Sequence, residues 1–112
     1  MAGWSLLDTL TRNEDAGLEF TEVAQPMLFA IQLGIVSLLK ELGVAATDVV
    51  GHSVGEIAAA YVAGALSLED AVKVIYFRSS AQGKTKGAGK MAAVKLSKDS
   101  IQSTLENFNG IE

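Results

Sequence analysis

Several things are scarce in this 112-residue sequence, and each scarcity excludes something. There is no cysteine, which rules out a disulfide framework, thiolate chemistry and a cysteine-ligated metal. Basic residues are outnumbered 9 to 13 by acidic ones, and the net charge of -4 argues against nucleic acid as a partner. No apolar run is expected to be both long and uninterrupted enough to span a membrane. The richest, Met27 to Leu42, is broken by Gln32, Ser37, Lys40 and Glu41. The first residues show no basic region leading into a hydrophobic run and a cleavage site, so no secretory signal is expected and a cytoplasmic location is the expectation. There is one histidine and one proline, so any reading of His52 or Pro26 concerns a single residue.

Apolar residues are plentiful at 49% of the chain, which suits one small α/β domain with helices packed on a buried sheet. The chain is organised around Val49-Val50-Gly51-His52-Ser53-Val54-Gly55-Glu56-Ile57-Ala58-Ala59-Ala60. Two β-branched residues enter Gly-x-Ser-x-Gly and a helix-favouring alanine run leaves it. That is the strand, sharp turn and helix of a nucleophile elbow. A serine at such a corner has a strained backbone, and its neighbours must present no Cβ that would block the turn. Gly51 and Gly55 satisfy this on either side of Ser53. The corner places the Ser53 hydroxyl at the positive end of a helix, where the Val54 backbone N–H can face a developing oxyanion.

Around this centre the sequence reads as follows. Trp4 to Leu10 is a short helical piece, and Arg12 to Gly17 is a polar loop. Pro26 suits the first turn of a long helix, where its missing N–H costs nothing. Leu28, Ile31, Ile35, Leu38, Leu39 and Leu42 recur on one face of that helix, and Gly43 ends it. Asp48 to His52 is the predicted buried strand, Val54 to Ala63 the elbow helix, and Gly64 its stop. Ser67-Leu68-Glu69-Asp70 has a capping-box pattern and opens a helix carrying Ala71, Val74, Ile75 and Arg78. Gln82 to Lys90 is rich in glycine and lysine and reads as a loop. Met91 to Leu96 is β-like, and Ser97 caps a last amphipathic helix bearing Ile101, Leu105 and Phe108. Only one strand of a main sheet is evident, and a sheet needs more, so the chain reads as part of something larger.

Gly51-His52-Ser53-Val54-Gly55-Glu56 and the segment Ala58 to Val72 resemble the acyltransferase domain of modular polyketide synthases, and are similar to the malonyl-transferases of fatty-acid synthesis. Gly3 to Leu6, Thr21 to Pro26 and Gly89 to Val94 match further segments of that family in the right order. The resemblance implies a partial acyltransferase fold. Residues 1–86 would form part of an α/β-hydrolase-like large subdomain, and residues 87–112 the start of a ferredoxin-like small subdomain.

The function it implies is a two-step transfer. A malonyl-type group leaves coenzyme A for Ser53 as an acyl ester, then passes to the phosphopantetheine thiol of an acyl carrier protein. By resemblance Ser53 is the nucleophile, and the Val54 N–H is one oxyanion donor. Arg78 is the partner of the acyl group's free carboxylate, and Gln25 is a substrate-site glutamine. A planar guanidinium suits a carboxylate because two N–H groups can bind it at once. A branched aliphatic residue at the position of Val54 tends, in the family, to accompany malonyl in preference to methylmalonyl.

No bound cofactor or metal is implied. The partners are acyl-coenzyme A, the carrier protein and other synthase domains, with no nucleic acid or membrane. His52 is expected to be a buried, hydrogen-bonded structural residue, since adjacent side chains at a strand end point to opposite faces. The family's catalytic histidine falls beyond Glu112 and its glycine-glutamine-glycine segment is absent, so the isolated chain is expected to be inactive. A serine thioesterase or lipase of the α/β-hydrolase kind uses the same elbow, but has no use for a cation at the position of Arg78. A non-catalytic piece of a synthase is the third reading.

Overall fold

The computed structural model describes residues 3–11 and 17–111. The predicted loop from Arg12 lies mostly outside the described residues. Among those described, the regular structure is five helices: α1 (Leu6–Thr11), α2 (Thr21–Glu41), α3 (Gly55–Val62), α4 (Leu68–Gly83) and α5 (Lys98–Leu105).

Local chemistry sets most of the boundaries. Gly43 (φ 79°) and Gly64 (φ 77°) take the left-handed conformation at the ends of α2 and α3. The Val44 N–H reaches back to the Leu39 carbonyl (2.9 Å), and the Ala65 N–H to that of Ala60 (2.9 Å). These bonds satisfy carbonyls that each helix end would otherwise leave open. Ser67 and Ser97 cap α4 and α5, their side chains accepting from the N–H of Asp70 (3.1 Å) and Ser100 (3.2 Å). α2 begins earlier than expected. Val23 and Ala24 donate to the Phe20 carbonyl, at 3.0 and 2.8 Å, so the first turn forms upstream of Pro26. Pro26 therefore lies inside the helix, and its missing N–H leaves the Glu22 carbonyl without its usual partner. At its far end α4 takes in Gln82 and Gly83, which the glycine-rich composition had suggested were loop.

The core is where α2, α3 and α4 meet. Phe29, Ile57, Ala58, Ala71 and Ile75 are buried together, with Leu33, Val54, Tyr61 and Leu66 packed against them. Burying a side chain of the size of Phe29, Ile57 or Ile75 contributes about 1.5–3 kcal/mol. α1 touches α2, and α5 touches none of the other helices. A compact chain of this length has a radius of gyration of about 13 Å, and the observed 17.7 Å reflects that loose arrangement.

The expected strands do not form among the described residues. Asp48 to His52 is neither a strand nor buried: Val50 is 96% exposed, and Val49 is exposed as well. Met91 to Leu96 is likewise without regular structure. The cause is non-local, because an extended segment becomes a strand only when a neighbour pairs with its N–H and C=O groups. No described segment does so. The described residues thus show the helices of the expected α/β arrangement and none of its strands.

α2 proves apolar on two faces. Met27 and Phe29 are buried, whereas Leu28, Ile31, Ile35, Leu38, Leu39 and Leu42 are exposed. By length and composition alone α2 could cross a membrane, its best window having a mean hydropathy of 1.5, contrary to the reading of its polar interruptions. Core helices meet the same criterion, and one face of α2 packs on α3 and α4.

Candidate active site at the elbow

The turn from Gly51 to Gly55 has the geometry an elbow requires. Ser53 has φ 53° and is the one non-glycine residue with positive φ among those described. A side chain rarely sits there, because its Cβ crowds the following carbonyl. Two turn bonds hold it in place: the Gly55 N–H donates to the His52 carbonyl (2.9 Å) and the Glu56 N–H to that of Ser53 (3.2 Å). Gly51 is forced by close approach. A Cβ there would lie 2.4 Å from the Glu56 N and Cα, which only glycine avoids.

Val54 caps α3, and its N–H has no acceptor among the described residues. It lies at the N-terminal end of α3, at the positive end of the helix dipole. Ser53 is exposed, so its hydroxyl is accessible.

Arg78 comes to the elbow from α4. Its Nη2 donates to the Ser53 Oγ at 3.1 Å, although 25 residues separate the two. Its Nη1 donates to the Oε1 of Gln25 on α2 and, at 3.2 Å, to the Oε1 of Gln82. The Gln25 Nε2 in turn donates to the Gln82 Oε1. All three acceptors of the guanidinium are neutral. The ion pair found among the described residues, Lys73 with Glu69 at 2.7 Å, does not involve Arg78. A half-buried cation thus stands next to the Ser53 hydroxyl with no carboxylate paired to it among the described residues.

The four residues singled out from the sequence, Ser53, Val54, Arg78 and Gln25, are brought into one place. Gln82 was missed, because it fell in a stretch read as loop. Its signal was its spacing, one helical turn after Arg78 on what proves to be the same helix. Gln32 was also missed. It reaches the elbow from α2, its Nε2 3.5 Å from where a Gly55 Cβ would stand, and its buried Oε1 has no hydrogen-bond partner among the described residues.

His52 departs from expectation. It is exposed, and its ring makes no hydrogen bond among the described residues. A backbone at 48–52 with no strand beside it has nothing to bury that side chain. With Val49, it lines an open groove of about 550 Å³ against Gln32, Ile35, Val36 and Ala59. Among the described residues, no group of three His, Asp or Glu side chains comes together to hold a metal.

A family model described as "Acyl transferase domain" matches residues 1–110. The chain belongs to the acyl transferase domain family. It is 46% identical over 108 residues to Polyketide synthase GfsB of Streptomyces halstedii, covering 96% of this chain and 2% of that protein. It is 44% identical over 106 residues to Erythronolide synthase EryA2 of Saccharopolyspora erythraea, covering 94% and 3% respectively. Probable polyketide synthase 1 of Dictyostelium discoideum is 44% identical over 96 residues, covering 84% of this chain and 3% of that one. The acyltransferase chain therefore spans a few per cent of the length of these relatives and corresponds to part of a polyketide synthase acyltransferase domain. No solved structure matches it.

Proposed function

We propose that this segment supplies the nucleophile and the carboxylate anchor for transfer of a malonyl-type acyl group from coenzyme A to an acyl carrier protein. The observation that carries the proposal is the 3.1 Å contact between the Arg78 Nη2 and the Ser53 Oγ, made by a guanidinium with no anionic partner among the described residues. An uncompensated cation at hydrogen-bond distance from a serine nucleophile favours an acyl donor with a free carboxylate. An uncharged acyl group would leave that cation unpaired, at a cost in binding.

In the proposed cycle the Ser53 Oγ attacks the thioester carbonyl and its proton goes to a base. The carbonyl oxygen takes up negative charge facing the Val54 N–H. The C–S bond then breaks, releasing coenzyme A as the thiol and leaving an acyl ester on Ser53. Attack by the carrier's phosphopantetheine thiol breaks the ester and returns the Ser53 hydroxyl. Arg78 holds the distal carboxylate through both halves, and Gln25 contributes to the substrate site through Arg78. A serine hydroxyl without a base is a weak nucleophile, and none of the described residues contacts Ser53 as one. The base is therefore proposed to come from outside the residues described.

The test is intact-mass measurement after the full-length polypeptide carrying this segment is incubated with malonyl-coenzyme A. A malonyl adduct on the wild type that is lost in Ser53→Ala is the expected result. An adduct that persists in Ser53→Ala would place the nucleophile elsewhere.

A further inference from the structure

The guanidinium of Arg78 is held more closely than a substrate-binding arginine needs to be. Both N–H groups of its Nη1 are taken, one by the Gln25 Oε1 and one by the Gln82 Oε1. The two glutamines are joined to each other, Gln25 Nε2 to Gln82 Oε1, which closes a ring of three hydrogen bonds. The ring ties α2 to α4 and turns Nη2 toward Ser53. Its acceptors are amides. A carboxylate in either place would hold the arginine more strongly, since charge-assisted hydrogen bonds are roughly twice as strong as neutral ones. It would also cancel the charge. Two neutral holders fix the orientation of the guanidinium and leave its charge available to a ligand.

We propose that Gln82 is a positioning residue that, with Gln25, orients the Arg78 guanidinium without neutralising it, and so sets the preference for an anionic acyl group. This rests on the reading of Arg78 as the carboxylate anchor. Gln82 acts only through Arg78. Because its side chain is exposed, its replacement is tolerated by the fold.

Two substitutions separate holding from neutrality. Gln82→Glu keeps an acceptor one turn from Arg78 but adds a competing negative charge. Gln82→Met keeps the side chain's length and removes the acceptor. Acyl loading of the full-length polypeptide is measured with malonyl- and acetyl-coenzyme A, and kcat and KM are separated.

In Gln82→Glu the KM for malonyl-coenzyme A should rise about fivefold, equivalent to about 1 kcal/mol. Its kcat and the acetyl KM should stay within about twofold of wild type. Gln82→Met should raise the malonyl KM less, about twofold, because the cation is loosened and not cancelled. An unchanged malonyl KM in both variants would overturn the proposal. So would equal increases for malonyl and acetyl, which would mean a structural role. Arg78→Ala run in parallel separates the two levels of inference. If it erases the preference for malonyl while the Gln82 variants are silent, only the role of Gln82 falls. If it leaves the preference intact, the anchor reading falls and takes this proposal with it.

Discussion

Gly51→Ala tests whether the elbow is held by backbone contact. The added Cβ would stand 2.4 Å from the Cα and N of Glu56 and 2.5 Å from the Gly55 carbonyl oxygen. Carbon atoms pack at about 3.5–4.0 Å, so more than an ångström of space is missing. Every clashing atom belongs to the backbone at the start of α3, and no rotamer change relieves it. The turn must open or the helix must move. Overpacking of this kind costs about 1–3 kcal/mol, and with backbone on both sides the upper end, about 3 kcal/mol, is expected.

Two other glycines calibrate the number. Gly64 has open space around it but a φ of 77°, so Gly64→Ala should cost about 1–2 kcal/mol from the left-handed conformation alone. Gly34 lies within α2 with nothing near it, and Gly34→Ala should stabilise by about 1 kcal/mol. Urea unfolding followed by circular dichroism gives the three values on one scale. Amide exchange supplies the local readout. Gly55, Glu56 and Ile57 donate to the carbonyls of His52, Ser53 and Val54. These three amides should lose protection selectively in Gly51→Ala. A Gly51→Ala chain no less stable than Gly64→Ala, with those amides still protected, would refute the argument from close approach.

Three further outcomes are expected. Ser53→Gly should be more stable than Ser53→Ala by about 1 kcal/mol in urea unfolding, because glycine adopts φ 53° freely while alanine keeps the strain; equal stabilities would show that the elbow stores none. Gln32→Met should raise stability by about 1–2 kcal/mol by removing a buried carbonyl oxygen that has no partner, and a loss on thermal unfolding would mean that oxygen is satisfied in solution. Ile35→Lys, in the exposed stripe of α2, should shift the sedimentation-derived mass of the chain at high concentration toward the monomer; a wild type that stays monomeric at every concentration would show that the stripe does not drive association.

What could be read from the sequence is what neighbouring residues decide. The stops at Gly43 and Gly64, the serine caps of α4 and α5 and the strained corner at Ser53 each depend on a few adjacent residues, and each is found where composition pointed. The strand was not legible in the same way. Val49 and Val50 have the right chemistry for one, but a strand is a relation between two segments, and its partner is not among the described residues. The stripe on α2 depends on the same missing partner. Its helical period is as read, and its leucines and isoleucines lie exposed because no sheet covers them among the described residues, while the face that packs on α3 and α4 is the one carrying Phe29.

The site follows the same division. Spacing alone could propose Ser53, because everything that makes it an elbow lies within five residues of it. Nothing local could bring Arg78 to Ser53 across 25 residues, and only the family resemblance placed it there. Once α4 is known to run through Gly83, however, Gln82 becomes predictable. A helix puts residues four apart side by side, so any group one turn beyond a functional arginine can reach its guanidinium. Whether that group is an amide or a carboxylate then decides whether the arginine keeps its charge for a ligand. In this chain the group is an amide, and α2 supplies a second one in Gln25. The identity of two uncharged side chains is thus the part of the site that bears most directly on its proposed preference for an anion.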